Sequence, residues 1–132
     1  MTGRERIRGS LILRKEPNGT MAVTILTSEN ISEVLDDRAT VVIDFRASWC
    51  GPCELFEDVF QGVANKHDDV VFTTVDVETE PDLADEFGIE AVPTLVIIRD
   101  KNLLFSHTGM VSNVALEDLL AQVRAVDLND VC

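Results

Sequence analysis

The chain has 132 residues, 45% of them hydrophobic, and a formal net charge of −13. This length suits one domain that buries roughly two-thirds of its unfolded surface, and no apolar run approaches the ~18 residues of a membrane span. Residues 1–20 hold 5 of the 11 basic residues and 2 of the 24 acidic ones, so the rest is strongly acidic and excludes the phosphate backbone of nucleic acid as a partner.

Residues 1–20 read as a polar, poorly ordered basic tail, and Met21 offers an alternative start. The apolar run Leu11-Ile12-Leu13 is too short for a secretory signal, while Glu5 and Glu16 argue against a transit peptide. A soluble cytoplasmic protein is the expectation. Val23–Leu26 is a short strand candidate, and Thr27 or Ser28 can cap a helix through about Asp36 with Ile31, Val34 and Leu35 on one face. Thr40–Phe45 is nearly continuous and β-branched, as in a strand buried on both faces. Leu55, Phe56, Val59, Phe60 and Val63 recur at helical spacing, which predicts an amphipathic helix after Cys50. Val70–Val77 is another strand. Pro81 and Gly88 sit where a short helix prefers to start and stop. Thr94–Asp100 and Leu103–Gly109 form a hairpin around Asp100-Lys101-Asn102. Ser112 or Asn113 caps a last helix that turns Leu116, Leu119, Leu120 and Val123 inward. The domain is expected over residues 21–127, with a tail over 128–132.

The order β-α-β-α-β-α-β-β-α implies an α/β fold. Its parallel central sheet is covered on both sides, and the final hairpin adds antiparallel strands.

Cys50 and Cys53 flank Gly51 and Pro52, and three readings compete: a redox dithiol, half of a zinc site, or two core thiols. Zinc needs about four ligands. Cys132, His67 and His107 are the only other Cys or His residues, and none has paired spacing, so no metal is expected. Both histidines read as surface or packing residues, and Cys132 as a free thiol without a role. Three cysteines in a chain this long do not make a disulfide framework, which points to an intracellular protein whose Cys-x-x-Cys pair is catalytic or metal-binding rather than structural. Cys50 follows a buried strand and opens a helix, beyond the carboxyl end of a strand where chemistry gathers in open α/β sheets. There the unpaired N–H groups and the positive end of the helix dipole favour the thiolate. Gly51 leaves the approach open, and Pro52 in the first turn costs nothing. Cys50, the more exposed thiol, would attack a substrate disulfide, and Cys53 would resolve the mixed disulfide.

Trp49-Cys50-Gly51-Pro52-Cys53, preceded by Val41-Val42-Ile43-Asp44-Phe45 and followed by Gly88-Ile89-Glu90-Ala91-Val92-Pro93-Thr94, resembles the thioredoxin family over about Val23 to Val126. The resemblance implies a three-layer thioredoxin fold, a central mixed sheet of four to five strands flanked by about four helices. It implies a protein disulfide reductase that alternates between a Cys50–Cys53 dithiol and its disulfide and maintains cell redox homeostasis. No cofactor would be bound; electrons would come from NADPH through a flavoprotein thioredoxin reductase and pass to disulfide-containing client proteins, and the chain would be a monomer. Asp44 matches the family's buried carboxylate, the proposed proton acceptor for Cys53. Pro93 matches its cis-proline, beside which the Val92 backbone pairs with an extended substrate segment. Trp49, Gly51, Pro52 and Gly109 would line the substrate surface. An oxidase or isomerase of the same fold is the first alternative, against which the Gly-Pro pair argues; a non-catalytic interaction module is the second.

The chain departs from the family pattern at four positions. Glu54 replaces a basic residue after the second cysteine and continues into Glu57 and Asp58, an acidic stripe expected to make docking slower or more selective. Asp58 replaces a helix-kinking proline, so the helix is expected to be straighter. Thr74 stands where the family has a lysine near the buried carboxylate. Arg46 replaces a tryptophan and points to the same face of its strand as Asp44. It either pairs with Asp44 and weakens it as a base, or reaches outward past the strand end, the preferred reading.

Overall fold

The computed structural model describes residues 22–35 and 39–126. The expectations for residues 1–20, for Asp36 and for residues 128–132 with Cys132 therefore lie outside the described residues. In chain order the elements are β1 (Val23–Ile25), α1 (Ile31–Val34), β2 (Thr40–Arg46), α2 (Gly51–Ala64), β3 (Val71–Asp76), α3 (Pro81–Glu86), β4 (Thr94–Arg99), β5 (Asn102–Thr108) and α4 (Asn113–Ala125). The sheet order is β1-β3-β2-β4-β5. β1, β3 and β2 run parallel, whereas β4 and β5 pair antiparallel to their neighbours. The expected mixed sheet of an α/β fold is thus present with five strands.

β2 shows why the sheet needs two covers. Val41, Ile43 and Phe45 alternate with Val42 and Asp44, and all five are buried. A strand of period two that buries both sets must lie between two layers. One set joins Val34 of α1 and Leu83 of α3 in a core beneath those helices. On the opposite face Val42 joins Phe56, Phe60 and Val63 of α2 with Leu116, Leu120 and Val123 of α4. Phe60 meets Phe56 at 5.7 Å and Phe72 of β3 at 5.3 Å between ring centroids. Burying each such phenyl group contributes ~1.5–3 kcal/mol relative to leaving it in water. This packing anchors α2, and with it the cysteine pair, to the sheet.

Local chemistry accounts for the boundaries. Ser112 caps α4 by accepting from the Ala115 N–H at 3.1 Å. Pro81 lies in the first turn of α3, and Gly88 follows its end with a φ of 67°, a left-handed conformation that glycine adopts freely. The β4–β5 turn places Asp100 and Lys101 at φ 52° and 69°, the geometry of a two-residue hairpin.

Two expectations need correction. Thr27 caps a turn, with Oγ1 accepting from the N–H groups of Glu29 and Asn30 at 3.2 Å each, but α1 itself starts only at Ile31. The Asn30 side chain folds back onto Thr27 and Ile25 instead of capping the helix. Leu55 was expected inward on α2; it is 65% exposed. Phe56, Phe60 and Val63 already fill the space between α2 and the sheet, and Leu55 falls one residue outside that stripe.

Candidate active site

α2 begins immediately beyond the end of β2, and Cys50 is its N-cap. The Cys53 N–H donates to the Cys50 sulfur at 3.1 Å, and Cys50 itself is tied back by its N–H to Ala47 O at 3.2 Å. A side-chain acceptor at this position satisfies one of the orphan donors of the first turn. The two cysteines form a disulfide, with their Cα atoms 5.2 Å apart. They pack with Ala47, Val77 and Val92. Cys50 is 4% exposed and Cys53 fully covered, so Cys50 is the more accessible sulfur by a narrow margin only. A Cβ added to Gly51 would meet nothing within 4 Å, so Gly51 faces open space beside the N-cap.

Asp44 lies on the face of β2 that α2 covers, and is 2% exposed. Its Oδ1 is buried without a hydrogen-bond partner. Burial pushes the carboxyl up from 3.8 to about 7; Arg46 opposes that rise and Glu57 of α2 adds to it. Among the described residues no ion pair joins Asp44 to Arg46. Nor does Arg46 reach freely into solvent: it is half-buried, and its Nε is enclosed without a partner. The pairing drawn from sequence is thus absent among the described residues, and the outward reading holds in part, with the Arg46 stem enclosed at Nε and the residue partly exposed. Thr74 is the β3 residue in register with Asp44, and its hydroxyl donates to Asp44 O at 3.2 Å.

The rim comes from loops beyond the strand ends. Trp49 is 68% exposed, and its Nε1 donates to Glu78 Oε2 at 2.9 Å. Ser48 Oγ donates to the other Glu78 oxygen at 3.4 Å. The Val92–Pro93 peptide bond is cis. Gly109 donates its N–H to Pro93 O at 2.7 Å and holds φ at 110°, which a side chain would strain. Thr94 braces the approach to Pro93 through Oγ1, which donates to Ala91 O at 2.6 Å.

A closed Cys-Gly-Pro-Cys pair at a helix start, flanked by a cis-proline loop and a buried carboxylate, narrows the reading. Residues 22–122 match the family model described as Thioredoxin. The chain belongs to the thioredoxin family. A Streptomyces coelicolor protein carrying the name thioredoxin 2 is 42% identical over 106 residues, which span 80% of this chain and 79% of that one. The oxidised mitochondrial thioredoxin 3 of Saccharomyces cerevisiae superposes with a TM-score of 0.69 at 31% identity, covering 76% of this chain and 95% of its own. A thioredoxin variant of Halobacterium salinarum gives a TM-score of 0.73 at 29% identity, covering 80% and 93%. As a thioredoxin-family member with a cysteine pair able to close, the chain is a protein disulfide oxidoreductase that works by dithiol–disulfide exchange on disulfide-containing targets.

Among the sequence-derived site residues, Cys50, Cys53 and Val92 share one packed cluster, and Gly109 and Pro93 are hydrogen-bonded beside it. Trp49, Gly51 and Pro52 sit on the N-terminal end of α2 and its approach. Glu78 and Glu57 were not assigned to the site from sequence. Glu78 could have been found from topology, because β2 and β3 are parallel neighbours and the residues just past their ends must meet. Glu57 is four residues beyond Cys53, one turn along the same helix face. His67 pairs with Glu117, and His107 stacks on Phe105, its Nε2 lying 3.7 Å from where a Cβ on Gly109 would sit. No group of three or more potential metal ligands occurs among the described residues, nor any helix long and apolar enough to cross a membrane.

Proposed function

We propose that this chain is a cytoplasmic disulfide reductase in which Cys50 is the nucleophile, Cys53 the resolving thiol and Asp44 the proton acceptor. The observation that carries this reading is the Cys50 sulfur at the N-cap of α2, accepting the Cys53 N–H. A donor aimed at the sulfur, together with the helix N-terminus, stabilises a thiolate over a thiol once the disulfide is opened.

In the reducing direction the Cys50 thiolate attacks one sulfur of a client disulfide. The Cys50–client bond forms, the client S–S bond breaks, and the other client sulfur leaves as a thiolate that takes a proton from solvent. Cys53 then gives its proton to Asp44 and attacks the Cys50 sulfur. The Cys50–Cys53 bond forms, the mixed disulfide breaks, and the second client sulfur leaves with the electron pair. Two protein thiols are oxidised and one client cystine is reduced.

Trp49, Gly51, Pro52, Val92, Pro93 and Gly109 form the substrate surface in this reading. An extended client segment adds as a strand at Val92, where main-chain hydrogen bonds give affinity without strong sequence preference. The oxidised pair is recharged by NADPH through a flavoprotein thioredoxin reductase, with no cofactor held on the chain itself. The test is turnover of insulin disulfides with dithiothreitol. Wild type accelerates insulin reduction and Cys50→Ser falls to the uncatalysed background; a Cys50→Ser variant with full turnover overturns the assignment.

A further inference from the structure

Asp44 and Arg46 are two residues apart on β2, so both lie on the face covered by α2. Each keeps one buried polar atom without a partner, Oδ1 in one and Nε in the other. Unpartnered buried polar groups are costly and persist only where the surroundings hold them. Glu57 acts on the same carboxyl from the helix above, one turn beyond Cys53. Among the described residues, the neighbouring strands set no charge directly opposite Asp44, but β3 sets one opposite Arg46. Thr74 of β3 and Leu95 of β4 are in register with Asp44, and Asp76 of β3 stands opposite Arg46. The charges that act on Asp44 are thus one cation on its own strand and one anion on the helix that carries Cys53, while Asp76 of β3 faces that cation from the side.

We propose that Arg46 and Glu57 are opposed positioning residues for the exchange reaction: Arg46 holds the Asp44 carboxylate ready to take the Cys53 proton, and Glu57 pushes it toward the protonated acid. This rests on the reading of Asp44 as proton acceptor. Burial alone favours the neutral acid, which cannot accept a proton. Arg46 restores the base, and because it is half-buried its field is screened less than that of a surface ion. Glu57 is exposed and acts through solvent, so its influence is the weaker of the two. The pair sets the pH above which the second step of exchange runs at full rate. Any change that neutralises Glu57 lowers that pH.

The experiment uses the full reduced chain. The Asp44 carboxyl is titrated by carbon-13 NMR in wild type, Arg46→Met, Arg46→Lys and Glu57→Gln. Single-turnover reduction of insulin is followed over the same pH range, with Asp44→Asn added. The Asp44 midpoint rises by about half a unit or more in Arg46→Met, returns most of the way in Arg46→Lys, and falls in Glu57→Gln. The insulin rate profile moves in the same directions. Midpoints that stay put, or move the same way in Arg46→Met and Glu57→Gln, overturn the proposal while leaving the reductase reading intact. A rate profile unaffected by Asp44→Asn removes the proton-acceptor role and the proposal with it. If Arg46→Met does not fold, the Lys variant and the exposed Glu57→Gln still decide the sign.

Discussion

At the far end of α2, Lys66 and His67 meet Glu117 of α4 at 3.9 and 2.6 Å, and Arg124 of α4 contacts Asp69 at 3.1 Å. Arg99 of β4 adds donations to Val123 O and Val126 O at 2.7 and 2.8 Å, satisfying the last carbonyls of α4. At the near end, Asp44 and Arg46 share a face, and each retains a buried polar atom that nothing satisfies. One end of the helix has paired charges at the surface; the other holds single charges in the interior. Pairing at the far end fixes α2 against α4 and asks nothing of chemistry. The lack of pairing at the near end leaves a carboxyl whose proton is easily given and taken near neutral pH, which an exchange reaction can use and a purely structural role cannot. The costly arrangement stands on the strand that leads into the disulfide.

The largest expected effect comes from making the near end resemble an ordinary core. Asp44 holds its proton to about pH 7 in the folded chain but loses it near 3.8 when unfolded. Between these values the native state binds more protons than the unfolded state, so stability is highest below pH 4 as far as this group is concerned. It falls as pH rises, and the loss is complete above 7. The span corresponds to roughly 4 kcal/mol. Asp44→Asn should abolish this slope. Guanidinium unfolding of the oxidised protein at pH 5 and pH 8 checks it: wild type loses stability between the two, and the variant changes far less. Equal slopes in both proteins would show that Asp44 is not held protonated.

At the far end the expected effects are small. Arg124 and Asp69 are well exposed, with side chains 39% and 67% accessible. A double-mutant cycle with Arg124→Gln and Asp69→Asn should return a coupling of ~0.2–1 kcal/mol by urea unfolding, shrinking at high salt. A coupling of several kcal/mol would erase the contrast between the two ends, because the surface pairs would then matter as much as the buried carboxyl.

Much of this was legible in the sequence, for identifiable reasons. β2 is a continuous β-branched run and α2 has three-four apolar spacing, so both elements and their burial follow from pattern alone. Cys50 at a strand-to-helix junction gave the reactive end of the molecule. Arg46 was harder. Strand periodicity places it on the face of Asp44, but whether a long side chain pairs, escapes or is trapped depends on how closely α2 packs above it. Glu57 was read as part of a surface stripe. Its electrostatic reach to Asp44 depends on how α2 lies over β2, a tertiary distance that the sequence pattern does not give. Glu78 escaped notice because its partner, Trp49, is 29 residues away in sequence and becomes a neighbour only when β2 and β3 pair.

The smallest expected effect concerns Glu54, exposed four residues after Cys50 and belonging to neither class of charge. It has no role in the core, so Glu54→Lys should leave stability within ~0.5 kcal/mol. It does remove an anion from the edge of the dithiol and supplies a cation at the positive end of α2. A single exposed charge on a docking face changes the encounter rate at low salt modestly, by about two-fold. Reduction of the oxidised chain by NADPH and a flavoprotein thioredoxin reductase should therefore quicken about two-fold at low ionic strength. The gain should fade as salt screens the encounter, while the unfolding midpoint stays in place. An unchanged rate at low salt would mean that the acidic stripe does not face the reductase. The near end would then be distinguished by its buried charges alone.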